Sequence, residues 1–143
     1  MKYSDGKCLV CKSNMDENLE HLLFFCENSR QIWTRVQHLL RNVFGDKISI
    51  TSLEATTGYW QTEINNDTLI MNLINSITRF HLWKVRNRVK YENERIQFSG
   101  NIRVLKYSLL QHISLLKSSE SSNKPIIDIV YKLEREIRDK FIS

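Results

Sequence analysis

Between residues 32 and 44 the apolar side chains fall at Ile32, Trp33, Val36, Leu39, Leu40, Val43 and Phe44. Steps of one and three keep all seven on one stripe of a 3.6-residue helix. Ser29 stands just ahead with a hydroxyl suited to first-turn amides, so the helix is predicted to begin there and to stop at a left-handed Gly45. Ile48-Ser49-Ile50 reads only as an extended link. Thr51-Ser52-Leu53-Glu54 predicts a capped short helix that ends near Gly58. A longer helix is predicted over 67–94, its stripe running through Leu69, Ile70, Leu73, Ile74, Ile77, Phe80, Trp83 or Lys84, and Asn87. Ser99 opens another, with Ile102, Leu105, Leu109, Ile113 and Leu116 on its face. The last starts at Pro125, where a missing amide hydrogen costs nothing, and carries Ile126, Ile129, Val130, Leu133, Ile137 and Phe141. Two stretches lack such a pattern: 59–66, a connector with Tyr59 and Trp60 tucked against the helices, and the serine-rich 117–124, the candidate linker.

Composition agrees with this reading. The chain has 143 residues, of which 41% are hydrophobic, and only four glycines and one proline. So few breakers point to helices rather than to short strands joined by tight turns. No run approaches 18 consecutive apolar residues, which removes a membrane span. Each buried aliphatic or aromatic side chain contributes about 1.5–3 kcal/mol, so these stripes are expected to hold the carboxy-terminal bundle by themselves.

Cysteine use adds a different kind of constraint. The three cysteines and one histidine form Cys8-x2-Cys11-x9-His21-x4-Cys26. An odd cysteine count and a polar opening, Met1-Lys2-Tyr3-Ser4-Asp5-Gly6, argue against a secreted disulfide framework and for a reduced, intracellular metal site. Three thiolates and an imidazole suit tetrahedral zinc and leave no position open for a reactive water. Lys7 and Lys12 are placed to help the thiolates ionise. His21 and Cys26 are five residues apart, which leaves them roughly 140° apart on a regular helix, so the helix is expected to stop before Cys26. Leu22, Leu23, Phe24 and Phe25 then pack beside the metal, and Glu17 and Glu20 either orient the free imidazole nitrogen or face solvent. The expected fold is all-α: a small zinc-stapled amino-terminal segment followed by a bundle of about four helices. Residues 1–45 hold the metal segment and first helix and 46–143 the bundle. The two are expected to form one continuous domain, yet with metal stability and bundle stability separable.

The run Cys8-Leu9-Val10-Cys11, then Glu17-Asn18-Leu19-Glu20-His21-Leu22-Leu23-Phe24-Phe25-Cys26, then Ile32-Trp33, resembles the zinc-binding region that follows the polymerase in non-LTR (LINE-type) retrotransposon reverse transcriptases. In that family the usual pattern is Cys-Pro-x-Cys, then Glu-Thr-x-x-His-Leu-x-x-x-Cys, then a tryptophan. Here Leu9 replaces the proline and Asn18 the threonine. His81-Leu82-Trp83-Lys84-Val85-Arg86-Asn87-Arg88 is similar to the family's Ile-Trp-x-x-Arg-Asn segment. The resemblance covers roughly residues 8–95. It implies a non-catalytic tail of a reverse transcriptase that grips RNA or single-stranded DNA, either as a fragment of a larger element or as a free-standing remnant. The gap of nine residues departs from the four of retroviral zinc knuckles, and no Asp-Asp polymerase motif is present. Pro125 and Asp128 are too far apart to form the Pro-Asp element of a restriction-like nuclease.

Charge bears on partners. From Arg79 to Lys106 there are eight basic residues and two acids, a net +6, while the whole chain carries +5 and the remainder therefore −1. Lys84, Arg86, Arg88, Lys90 and Arg95 are the candidate phosphate contacts, with Trp83, Tyr91 and Phe98 interleaved. A solvated helix face is the plain alternative. Trp33 and Trp83 lie on apolar stripes and are expected as core or interface anchors. His38, His81 and His112 stand singly, as polar residues with partners rather than ligands. Asn87 needs an amide partner, at a chain end or on a neighbouring basic side chain. The second reading is a zinc-stabilised protein-interaction module that docks on the polymerase body or on its own copy through Trp60, Trp83 and Phe98. No acid, base or nucleophile constellation suggests an enzyme.

Overall fold

The apolar stripes do become helices, in the order a π-helical turn His21–Phe25, α1 Glu27–Phe44, α2 Ser52–Thr57, α3 Asn66–Glu92, α4 Phe98–Ser119 and α5 Lys124–Lys140. The computed structural model describes residues 6–12, 14–58, 65–95, 97–119 and 124–141. The expectations for Tyr59 and Trp60, and for 120–123 of the serine-rich linker, lie outside them. Among the described residues there is no strand, only one antiparallel bridge between Lys7 and Asp16, and no helix long and apolar enough to cross a membrane.

Helix α1 begins two residues earlier than expected, with Cys26 in extended conformation (ψ 136°) at its cap. Ser29 is therefore not a cap. It is buried within the first turn, and its hydroxyl donates to the Leu22 carbonyl, tying α1 to the π turn. Gly45 ends α1 at φ +127° and ψ 155°, a glycine-favoured conformation but not the left-handed helical one expected. Helix α2 has its predicted capping box: Thr51 accepts from the Leu53 amide, and Glu54 accepts from the Thr51 amide at 2.7 Å. Its far end is closed by Arg79 of α3, which donates to the carbonyls of Ala55 and Thr56 at 2.9 and 3.0 Å. Gly58 is needed there twice over, by its φ of +93° and because a Cβ would stand 2.9 Å from Arg79 Nη1.

The long helix α3 is capped by Asn65 and ends at Glu92, before a left-handed Asn93. Its buried face is Ile70, Met71, Ile74, Ile77, Thr78, His81, Leu82 and Val85. This corrects the expected stripe, because Leu69 (54% exposed), Phe80 (61%) and Trp83 (42%) face outward. Helix α3 carries two apolar stripes, their centres roughly 150° apart, and a single periodic trace mixes them. Tertiary packing selects one: its neighbours α1, α2, α4, α5 and the π turn cover the isoleucine-rich side.

Helices α4 and α5 pack against each other through their predicted faces, Ile102, Leu105, Leu109 and Ile113 against Val130, Leu133, Ile137 and Phe141. Helix α4 starts at Phe98 and continues into the expected linker as far as Ser119. One continuous core joins these residues to Ile32, Trp33, Val36 and Leu40 of α1 and to Leu22 and Leu23 of the π turn. Through Leu22 and Leu23 the end of the metal segment shares this core.

Candidate metal centre

Residues 6–17 fold back on themselves as a tight loop. The Cys8 amide donates to the Met15 carbonyl and the Glu17 amide to the Gly6 carbonyl, both at 2.9 Å. Gly6 (φ +72°) and Lys12 (φ +55°) take the positive backbone angles that such a turn requires. Lys7 pairs with Asp16 at 2.7 Å on the outside of the loop. Hydrogen bonds from the backbone amides of Cys11 and Val10 favour the Cys8 thiolate.

His21 and Cys26 meet by a route that regular helix geometry does not offer. The Cys26 amide donates to the His21 carbonyl at 2.6 Å, closing a wide turn across five residues, which brings the two side chains to one side. Asn18 Oδ1 accepts from the His21 amide at 2.8 Å and fixes where the turn begins. The chain then leaves the turn at Cys26, in line with the expected stop, and the Asn28 amide in the first turn of α1 faces the Cys26 sulfur. A thiolate at a helix amino terminus is electrostatically favoured.

All four ligand atoms lie within 4.8 Å of one another. Cys8 Sγ and Cys26 Sγ are 4.0 Å apart, and Cys11 Sγ and His21 Nε2 are 3.3 Å apart. An ion that bonds sulfur at about 2.3 Å and nitrogen at about 2.0 Å in a tetrahedron holds sulfurs about 3.8 Å apart and sulfur and nitrogen about 3.5 Å apart. The donor set therefore fits a metal ion. Cys8, His21 and Cys26 are buried and Cys11 is half-buried, which makes the group a closed one. The Cys26 thiol hydrogen-bonds to Cys8 and holds its pKa down to about 5, assisted by the two amides; the same bond, together with burial, pushes Cys26 up. A cation bound here would displace thiol protons and be held by the thiolates.

The surroundings differ from expectation. His21 Nδ1 is buried with no hydrogen-bond partner, and neither glutamate reaches it. Glu20 is exposed, and Glu17 turns toward α3, where its two oxygens accept from Arg86 Nη2 at 2.7 Å and Nε at 3.1 Å while Lys90 approaches to 3.4 Å. Phe25 is exposed rather than packed beside the ligands. The tie between Glu17 and Arg86 spans 69 positions and has no signal in the sequence, although both residues belong to segments singled out there.

The basic residues divide into two groups. Arg86 and Lys90, expected as phosphate contacts, have side chains only 12% and 16% exposed and are engaged by Glu17, so as placed here they hold the metal loop onto α3. Arg79 closes α2, and Lys106 donates to the Arg138 carbonyl. Lys84 lies over the Phe80 ring at 4.8 Å. Arg88 pairs with Glu94 at 2.9 Å and is one-third exposed, while Arg95 is exposed. Glu94 and Arg95 line two adjoining cavities. One of about 360 Å³ also touches Arg88, Gln97, Gly100, Asn101 and Val104, and one of about 320 Å³ touches Leu9, Val10, Cys11, Lys12 and Val89. Together they make a cleft from the α3–α4 junction to the cysteine loop.

Of the single histidines, His38 and His112 are exposed and His81 is buried. Burial holds His81 neutral, with its pKa lowered to about 4, beside an Asn101 that donates to Asn28 at 2.8 Å. Trp33 is a core residue, its indole N–H donating to the Leu23 carbonyl at 2.5 Å, whereas Trp83 is not. Asn87 accepts from Arg86 Nη1 at 3.0 Å, a basic neighbour of the kind expected for it. No protein-family model matches the chain, and neither does any curated protein or solved structure.

Proposed function

We propose that this chain is a non-catalytic, zinc-stapled helical module that binds RNA or single-stranded DNA, in the manner of the tail of a non-LTR retrotransposon reverse transcriptase. Zinc is the metal of choice because three thiolates and an imidazole at tetrahedral spacing match its preferences. Cys8, Cys11, His21 and Cys26 hold it, and its contribution is to the fold. The nucleic-acid reading rests on one observation: Lys12, Arg88 and Arg95 border the cleft that runs beside the cysteine loop. Phosphate contacts are assigned to these three, with Lys84 on the neighbouring turn of α3. Arg86 and Lys90 are assigned to the fold instead, since both are largely buried against Glu17. Glu94 competes with phosphate for Arg88.

The test is fluorescence anisotropy with oligouridylate and oligothymidylate over a salt series, using zinc-loaded protein. Removing Arg88 and Arg95 together (Arg88→Ala, Arg95→Ala) is expected to weaken binding and to flatten the logarithmic salt slope by about 0.7 for each phosphate no longer neutralised. Glu94→Ala is expected to tighten it. Binding and slope that stay unchanged in the folded double variant overturn the assignment. Native mass spectrometry tests the metal separately: one zinc in the parent and none in Cys11→Ser.

A further inference from the structure

The outward stripe of α3 has a spacing of its own. Leu69, Leu73, Ser76, Phe80, Trp83 and Asn87 follow one another at intervals of four, three, four, three and four residues. That is the seam of a heptad repeat, the pattern by which one helix receives another. On this line Leu69, Phe80 and Trp83 are 54%, 61% and 42% exposed, while Leu73 is half-buried at the edge of the core. Beside the seam lies a groove of about 250 Å³, lined by Leu19 and Leu23 from the metal segment and by Ser76, Arg79, Phe80 and Trp83. The small Ser76 makes a hole between larger neighbours, the shape that accepts a knob from a facing helix. Asn87 continues the seam where a polar residue in such a pairing fixes register.

Charge selects the occupant. Between Thr68 and Tyr91 there is no acidic residue, and the flanking positions of the seam carry Arg79 and Lys84, while Arg86 on the same flank is already paired with Glu17. A second copy would bring like charges together along both flanks, whereas a helix with glutamates beside its apolar stripe would be drawn in. The geometry points to α3 as the docking face for an acidic amphipathic helix of a partner protein, received along Leu69, Leu73, Ser76, Phe80, Trp83 and Asn87. This surface goes beyond the proposed cleft and shares only Lys84 with the phosphate contacts assigned there.

The probe is a fluorescein-labelled three-heptad peptide with leucine along its stripe and glutamate on its flanks; a twin with lysine on the flanks is the control. With zinc-loaded protein, the acidic peptide is expected to bind and the basic twin not to. Phe80→Ala with Trp83→Ala should weaken the acidic peptide about tenfold or more, because exposed aromatic anchors carry most of such a contact. Leu115→Ala, which removes an apolar side chain 68% exposed on α4, should leave it unchanged. Circular dichroism of each variant checks that the helices persist. Equal binding of the two peptides overturns the proposal. So does an unchanged affinity in the Phe80 and Trp83 variant, sedimentation showing that the parent self-associates along this face, or a loss confined to oligouridylate binding, which would make the aromatic side chains a base-stacking platform. Failure of the cleft would instead appear only in the Arg88 and Arg95 variant.

Discussion

The metal loop and the α4–α5 pair sit at opposite extremes of how a chain becomes ordered. Along residues 6–20 the apolar side chains do little: Met15 and Leu19 are more than half exposed, and Leu9 and Val10 are half-buried. Among the described residues, backbone hydrogen bonds, the outer Lys7–Asp16 pair, the Glu17–Arg86 tie and the ligand cluster define the loop. In α4 and α5 no such device is needed, since Leu105, Leu109, Ile113, Val130, Leu133 and Ile137 are all fully buried. Each such side chain contributes about 1.5–3 kcal/mol by burial, so the order of the pair rests on packing rather than on a ligand. The contrast gives the ligand cluster its use: a loop of some fifteen residues cannot enclose a core, and a metal held by the cluster would order it instead.

Removing the metal is the strongest way to test that contrast. Structural zinc in small sites contributes about 10–16 kcal/mol of apparent binding free energy, so chelation or Cys11→Ser should abolish the loop's order outright. Hydrogen exchange reads this out: the amides of Cys8 and Glu17 lose protection, the π turn and the first turn of α1 loosen, and α4 and α5 keep theirs. Equal loss of protection in α4 and α5 would show that the two regions are not held by different means. The complementary change is Leu109→Ala in α4, expected to cost about 2–5 kcal/mol in chemical denaturation because it leaves a cavity in a filled core. The same variant should retain its full complement of zinc by native mass spectrometry. A variant that loses zinc in proportion to its stability would erase the distinction from the other side.

How much of this is legible in the sequence follows the same divide. The faces of α1, α4 and α5 are legible because each carries one apolar stripe, and periodicity needs no knowledge of partners when only one side can be buried. The box at Thr51 and Glu54 and the stop at Gly58 are legible because caps act between near neighbours. Leu69, Phe80 and Trp83 are not: α3 has two stripes, and only the placement of its neighbours decides between them. The ligand set is legible from residue type and spacing, but not the π turn that brings His21 and Cys26 together, since the hydrogen bond that closes it has no residue signature. Arg86 and Lys90 show the limit for charge. A basic run in sequence looks like a surface for phosphate until a carboxylate from 69 positions away lies against it.

That carboxylate is where the two regions meet, and it supplies the finest test of their coupling. Glu17 belongs to the metal loop, and Arg86, half-sandwiched by the rings of Trp83 and Tyr91 at 5.0 and 5.8 Å, belongs to the bundle. With side chains only 12% and 15% exposed, this pair is largely removed from water, and Glu17→Gln leaves the guanidinium without its counter-charge. The expected cost is about 1–3 kcal/mol at neutral pH. The Arg86 guanidinium, bonded to Glu17, holds its carboxyl below the ordinary glutamate range, against the opposing pull of burial. A lowered pKa means that the unfolded chain takes up the proton first. The stabilisation is therefore complete above the unfolded value, about 4.3, and fades as pH falls from there through the folded value. Parent and Glu17→Gln should differ fully at pH 7 and converge in acid, where the parent's own carboxyl is protonated. Comparing the two at each pH cancels the protonation of the metal ligands, which both share. A difference that persists unchanged to the lowest pH would mean that shape, not charge, joins the loop to α3.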